Sequence, residues 1–151
     1  MYRAVLLMTL FLVALTTSTT IPKRDDPRLE KECRDLELVT VNRDPALTSL
    51  QAKCKSGNDE VTSRLNLNHC LHWRSSSNPS FRVRKDGDGL KDGDCIDCVL
   101  NNEAKLLCSC RGGSSYRDKP QKRFVEGINL NEAIKVKDGY LECHGIKGDK
   151  R

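Results

Sequence analysis

Two short stretches gather side chains able to hold a metal or move a proton. His69, Cys70 and His72 stand beside Trp73, the only tryptophan, and Asp86, Asp88, Asp92 and Asp94 follow among glycines. A zinc site would need Cys70 as a free thiolate and further ligands nearby. Calcium loops place oxygen ligands at alternate positions, a ladder that Leu90 interrupts here with no glutamate downstream to complete it. Both stretches therefore read as turn and loop residues, and no metal or cofactor is expected. Gly-x-Ser-x-Gly, His-Glu-x-x-His and phosphate-loop patterns are absent from the sequence, which points to a non-catalytic protein. Trp73 reads either as a core plug or as an exposed platform that stacks on a ligand.

The richest reactive chemistry belongs to eight cysteines: Cys33, Cys54, Cys70, Cys95, Cys98, Cys108, Cys110 and Cys143. Whether such a set forms bridges depends on the redox compartment. The first residues address that question. Met1-Tyr2-Arg3 is a basic start, residues 4–15 are almost wholly apolar, and residues 16–20 are small and polar. This is the layout of a signal peptide, expected over residues 1–20, with Lys23-Arg24 as a second processing point. The apolar run is short for a bilayer span and no other run of that length follows. A secreted, extracellular product without a membrane span is expected, and in it an even cysteine count reads as four disulfides.

The leader also accounts for most of the basicity. The chain carries 26 Lys+Arg against 21 Asp+Glu, a net +5; without Arg3, Lys23 and Arg24 the balance is 23 against 21, or +2. With aromatics at 5 % there is no basic-aromatic surface of the kind that binds nucleic acid, and no such partner is expected.

The elements that must position these residues read as strands. Leu36 and Leu38, then Leu50, Ala52 and Cys54, then Val61, Ser63, Leu65 and Leu67, and later Ile128 and Leu130, alternate with polar neighbours. Period two marks a strand with one face on a core. Asn101-Asn102 suits a hairpin turn because Asn tolerates left-handed backbone angles, and Asp138-Gly139 is a second turn. Residues 131–136 suit one helical turn after an Asn cap. Residues 40–48 lengthen the first hairpin, residues 74–94 read mostly as loop and linker, and residues 113–121 delay the last strand pair.

These strands also repeat. Cys33-Arg34-Asp35-Leu36-Glu37-Leu38 is matched by Cys95-Ile96-Asp97-Cys98-Val99-Leu100. Leu50-Gln51-Ala52-Lys53-Cys54-Lys55 is matched by Leu106-Leu107-Cys108-Ser109-Cys110-Arg111, and Leu65-Asn66-Leu67-Asn68 by Ile128-Asn129-Leu130-Asn131. In this arrangement the asparagines read as partners for backbone groups at the turn after a strand.

The order of cysteine, strand, second cysteine, Leu-Asn-Leu-Asn segment and closing Asp-Gly-x-Leu resembles the cyanovirin-N homology family of lectin-like domains. The resemblance extends over Cys33 to Cys143. It implies an all-β, disulfide-rich, pseudo-symmetric fold of two interleaved tandem repeats within residues 28–144, repeat one about 33–94 and repeat two about 95–143. It implies bridges Cys33–Cys54 and Cys95–Cys110, one per repeat, a framework that leaves Cys98 with Cys108 and Cys70 with Cys143. Eight cysteines taken alone would permit about a hundred pairings.

The resemblance further implies two glycan sites. One would use Lys55, Ser56 and Gly57 with Val136, Lys137 and Asp138, edged by Leu29, Glu30, Lys31 and Glu32. The other would use Arg111, Gly112 and Gly113 with His72, Trp73 and Asp94. Sugar recognition needs convergent carboxylates, amides and backbone N–H groups. The chain departs from the family pattern at Val136, where a polar Asn is usual, and at Asn78-Pro79, in the approximate place of Asp-Gly. The expected function is a secreted carbohydrate-binding protein whose partners are glycans or glycoproteins. The alternative is a protein-interaction module or secreted effector on the same scaffold.

Overall fold

A computed structural model describes residues 28–76, 78–112 and 122–151; the expected leader, the dibasic pair and the insertion at 113–121 lie outside the described residues. In chain order the elements are α1 (Leu29–Glu32), β1 (Cys33–Thr40), β2 (Thr48–Ser56), β3 (Asp59–Asn66), β4 (Leu71–Arg74), β5 (Ser80–Val83), α2 (Gly89–Asp92), β6 (Ile96–Leu100), β7 (Lys105–Arg111), β8 (Arg123–Asn129), β9 (Lys135–Lys137), β10 (Tyr140–Cys143), β11 (Ile146–Lys147) and β12 (Asp149–Lys150). The protein is all-β with two single-turn helices, and the duplication is visible in space. α1-β1-β2-β3 corresponds to α2-β6-β7-β8, and each three-stranded meander is followed by a short hairpin, β4–β5 or β9–β10.

The hairpins are exchanged. β9–β10 of repeat two packs on β2 and β3 of repeat one, while β5 of repeat one packs beside β8 of repeat two. Each half is thus completed by the other repeat, and a single cluster of buried side chains runs through both. It includes Leu50, Leu65, Leu67 and Leu71 from the first repeat and Leu106, Leu130, Ile134 and Leu141 from the second. The alternation along β2 and β7 produces this. Leu50, Ala52 and Cys54 point inward, as do Leu106, Cys108 and Cys110, while the residues between them face out.

Both meanders carry the same irregularity. The register slips between Arg34 and Glu37 in β1 and between Ile96 and Val99 in β6. The bulged residues are Asp35 (φ 54°) and Asp97 (φ 52°), left-handed positions that Asp tolerates better than most residues. The four bridges join Cys33 to Cys54, Cys95 to Cys110, Cys98 to Cys108 and Cys70 to Cys143. The first three lie across strand pairs within a repeat. The fourth ties the entry of β4 to the end of β10 and so links the two exchanged hairpins.

Two asparagines hold the exchange. Asn68 is buried, and its Oδ1 accepts from the backbone N–H groups of Leu90 and Lys91 at 2.9 and 3.0 Å, at the start of α2. Its Nδ2 donates to the carbonyls of Pro45 and Ala46. In the second repeat Asn131 takes the same part: Oδ1 accepts from Leu29 N–H of α1 at 2.7 Å, and Nδ2 donates to Glu30 and to the Glu103 carbonyl. The preceding asparagines, Asn66 and Asn129, cap the 3-10 turns Leu67–His69 and Leu130–Glu132 by accepting from Asn68 N–H and Asn131 N–H.

Three local expectations change. The hairpin turn at Asn101-Asn102 does not put Asn in the left-handed region. Ala104 takes that conformation (φ 56°), because the Asn101 side chain is engaged as an acceptor from Glu103 and Lys105 N–H. The stretch 74–94 is loop over most of its length but also contains β5 and α2, anchored because Phe81 and Leu90 are buried. The helical turn expected over 131–136 is shorter and starts one residue earlier, at Leu130.

The outward faces of the two meanders differ. On β1–β3, Glu60 accepts from Arg34 Nε and Nη2 at 2.9 and 2.6 Å, with Lys53 Nζ at 3.5 Å. Beside them Arg64 donates to Gln51, which donates to Glu37. On β6–β8 Arg34, Glu37 and Gln51 are replaced by exposed Ile96 and Val99 and half-buried Leu107, and Glu60 and Lys53 by Arg123 and Ser109, with Val125 exposed opposite Ser109.

Two outcomes are expected from these contacts. Asn68→Ala strands two N–H groups of α2 and the carbonyls of a turn, and should cost about 2–4 kcal/mol in urea unfolding; Asn131→Ala, at a half-buried site, should cost about 1–2 kcal/mol. The hydrogen bonds from Arg34, then its charge and that of Lys53, outweigh desolvation and hold the Glu60 carboxyl down at about 2. A carboxylate depressed on folding contributes stability that is fully present above its unfolded value, near 4.5, and fades as the pH falls from there through about 2. A carboxyl ¹³C titration should find Glu60 ionised below pH 3 and returned toward the ordinary range in Arg34→Leu.

Candidate functional site

The residues expected at the first end are brought together from distant parts of the chain. β2 and β3 are joined by the tight turn at Gly57 (φ 61°) and Asn58, with Ser56 opposite Asp59. β9 and β10 are joined by Asp138-Gly139 (φ 52° and 79°), with Lys137 opposite Tyr140, a two-residue turn of the type that matches the strand twist. The second turn lies directly on the first strand pair. A β-carbon at Gly139 would come within 2.7 Å of the Ser56 Cβ and 3.1 Å of the Val61 Cβ. Only glycine meets both the positive φ and the close approach at this position.

This contact sets Lys55, Ser56 and Gly57 beside Lys137 and Asp138. All are exposed except half-buried Ser56. Among the described residues, Lys55, Ser56, Lys137 and Asp138 make no side-chain hydrogen bond or ion pair. Lys55 stands opposite Glu60, at the border of the Arg34–Glu60–Lys53 network. α1 packs along β9 at the edge of this surface. Its Leu29 is buried and structural; Glu30 bonds Asn131, Lys31 is exposed and Glu32 is half-buried. Val136 is half-buried against the core, opposite Leu141, and contributes no polar group.

The second end is built differently. Trp73 is a core plug, 3 % exposed, edge-on to Phe81 with ring centroids 5.0 Å apart. Its Nε1–H donates to the Arg111 carbonyl at 2.8 Å. It is not a platform for a ligand. The Arg111 side chain is exposed but bound, donating from Nε to Asp94 Oδ2 at 2.8 Å. Arg123, which the sequence reading did not single out, completes the cluster: Nη1 lies 3.6 Å from Asp94 Oδ2, and Nη2 donates to the carbonyls of Asp94 and Ser109. Gly112 is pressed against Phe124 and Pro79, where a β-carbon would come within 2.5 Å of the ring. His72 meets the Gly87 carbonyl through Nδ1 at 3.2 Å. With Arg74, Ser75, Ser76 and Asp92 it borders an open depression over Trp73. Gly113 lies outside the described residues.

The other chemistry-bearing stretches are local structure. His69 Nδ1 lies 2.7 Å from Asp86 Oδ1 in an exposed pair that closes the loop after β5. Asp86, Asp88 and Asp94 all have positive φ, so their spacing serves turns. Among the described residues no group of His, Cys, Asp and Glu is arranged to hold a metal, and no helix is long and apolar enough to cross a membrane.

Arg123 was invisible in sequence because it pairs across the sheet with Arg111 from beyond the insertion; only the register Arg111↔Arg123 reveals it. The burial of Trp73 was one of two open readings and is decided by its partner, a backbone carbonyl of the other repeat.

Comparison with known proteins agrees with this architecture. A search of curated proteins finds no match. Among solved structures the fold is similar to the NMR structure of GzCVNH, from Gibberella zeae, with a TM-score of 0.54 over 76 % of this chain and 95 % of that one, at 18 % sequence identity. At that identity the likeness speaks for the fold. The family model of the CVNH domain matches residues 30–142, most of the chain and both of its exchanged repeats. The chain belongs to the CVNH family of lectin-like, carbohydrate-binding domains.

Proposed function

We propose that this protein is a secreted, non-catalytic lectin that binds glycan at its first end, on the surface formed by Lys55, Ser56, Gly57, Lys137 and Asp138. The observation that carries the reading is the contrast in satisfied groups. At the second end Arg111, Asp94 and the Trp73 indole are committed to one another or to backbone carbonyls. At the first end an ammonium pair, a hydroxyl and a carboxylate converge with no side-chain partner among the described residues, on turns fixed by Gly139 against Ser56. Sugar hydroxyls need such a mixed donor and acceptor set, and its rigidity lowers the ordering cost of binding. Four disulfides agree with an oxidising compartment, and the first twenty residues have the layout of an export leader. Glycans or glycoproteins are then the partners, without a role for nucleic acid or a cofactor.

The test uses the full chain expressed through a secretory pathway, with the medium assayed for the product and its N-terminus sequenced. Residues 1–20, or 1–24, should be missing. A glycan array followed by titration should find a ligand. Lys55→Ala combined with Lys137→Ala should weaken it at least tenfold, about 1.4 kcal/mol, whereas Arg111→Ala should change it less than twofold. Absence of glycan binding at millimolar ligand, with all four bridges intact by mass spectrometry, would overturn the lectin reading in favour of a protein-interaction scaffold. The opposite ranking of the variants would move the site to the second end.

A further inference from the structure

The two halves of the molecule differ in one respect that the duplication makes visible. In the first half, residues 146–151 occupy the space between β10 and β3. Cys143 and Glu142 of β10 pair with Ile146 and Lys147, and Gly148 N–H donates to the Leu141 carbonyl. The same segment then pairs Asp149 and Lys150 with Arg64 and Ser63 of β3, and Arg151 N–H donates to the Thr62 carbonyl. A single extended segment, antiparallel to both strands, satisfies two strand edges at once.

In the second half the equivalent strands are β5 and β8, and no segment among the described residues lies between them. The backbone there is set for one. Arg84 N–H donates to the Cys70 carbonyl, so the alternation of an antiparallel ladder turns the N–H and C=O groups of Phe81 and Val83 away from β4. Leu130 N–H donates to the Ala104 carbonyl, which by the same alternation turns those of Gly127 and Asn129 away from β7. These residues, with Arg82, Lys105, Ile128 and Glu132, line one open groove. Phe81 and Val83 stand where Leu141 and Cys143 stand in the filled half, and Gly127 stands where Arg64 stands.

We propose that the groove between β5 and β8 accepts an extended peptide strand from another protein, as residues 146–151 fill its counterpart. The side chains specify the occupant. In the filled half Lys147 lies opposite Glu142. Arg82 holds the Glu142 position in the open groove, while Lys105 and Glu132 both line the wall beyond and offset one another, so it is Arg82 that asks for an acidic residue in the incoming strand where this chain's own segment carries Lys147. Val83 in place of Cys143 selects an apolar residue where that segment has Ile146. Main-chain pairing supplies the affinity and these two positions the selectivity, as in other cases of strand addition. The site is separate from the polar surface proposed for glycan, and neither depends on the other.

The test titrates the ¹⁵N-labelled secreted protein with two blocked synthetic peptides. One is Ile-Glu-Gly-Asp-Lys-Arg. The other is Ile-Lys-Gly-Asp-Lys-Arg, the chain's own segment. The acidic peptide should shift amide resonances of residues 81–83 and 127–129 and bind at least fivefold more tightly than the lysine peptide. Arg82→Glu, an exposed substitution, should invert that preference. Val83→Pro, which removes an N–H not used in the β4–β5 ladder, should abolish binding while the far-UV spectrum and all four bridges are retained. Shifts confined to other residues, no shift at millimolar peptide, or a preference that Arg82→Glu leaves unchanged would overturn the proposal.

Discussion

The crossed bracket made by Asn68 and Asn131 is the constraint on which the rest of the structure depends. Each repeat by itself is a three-stranded meander with one apolar face and a short hairpin that cannot cover it. The hairpin is carried over to the other repeat, and the helical turn that opens each repeat is pinned by the asparagine of the other. The turn must be pinned because Leu90 and Leu29 are buried, and their backbone N–H groups go in with them. A buried donor without a partner costs as much as a good packing contact contributes. One side-chain amide with a carbonyl and an NH₂ can serve the helix start of one repeat and the hairpin turn of its own. That explains why the position is Asn in both copies; among the described residues no buried side-chain polar atom is left unpartnered.

The bridges act on the same problem from the side of the unfolded chain. Cys33–Cys54, Cys95–Cys110 and Cys98–Cys108 close short loops across strands that are already paired, with separations of 21, 15 and 10 residues. Cys70–Cys143 spans 73 residues and is the only one among them to join the exchanged hairpins. On the loop-entropy account the longest loop restricts the unfolded chain most, about 4 kcal/mol against about 3 for the shortest, before the other cross-links shorten it. Repeat two has a further bridge, Cys98–Cys108, at the positions held by Leu36 and Ala52 in repeat one. The outer face of β1–β3 is tied by Arg34, Glu60, Lys53 and Gln51, whereas β6–β8 has Ile96 and Leu107 in place of Arg34 and Gln51, and Arg123 and Ser109 in place of Glu60 and Lys53.

Much of this was legible in the chain because it is periodic. Alternating leucines located β1, β2, β3 and β8, and the repeated Leu-Asn-Leu-Asn located the caps, since a side chain that bonds its own backbone two residues on leaves a local signature. What could not be read was what depends on a partner far away. β5 and α2 lie in a stretch rich in Ser, Gly, Asp and Lys, and each puts a single large buried side chain, Phe81 or Leu90, into the core. Asn101 was a turn residue for a different reason from the one its type suggested, because its carboxamide had two N–H groups to serve while Ala104 took the strained angle. The polar groups of the two ends read alike in the sequence, and nothing there distinguishes the free ones of the first end from the bound ones of the second.

That distinction follows from one substitution between equivalent positions. Trp73 on β4 and Val136 on β9 occupy matching places in the two hairpins, opposite Phe81 and Leu141. The indole is large enough to fill the second half and to reach Arg111, and its N–H fixes the carbonyl of that residue. With the backbone of Arg111 held there and Arg111 N–H bonded to Gly93, the guanidinium is left beside Asp94, and Arg123 closes the cluster. Each polar group drawn into that chain is one fewer for a ligand. Val136 has neither the reach nor the donor, so the Asp138-Gly139 turn is seated by shape alone, glycine against Ser56 and Val61. Its neighbours Lys55, Lys137 and Asp138 remain uncommitted. A duplicated fold has in this way committed the polar groups of one end to holding itself together and left those of the other without side-chain partners among the described residues.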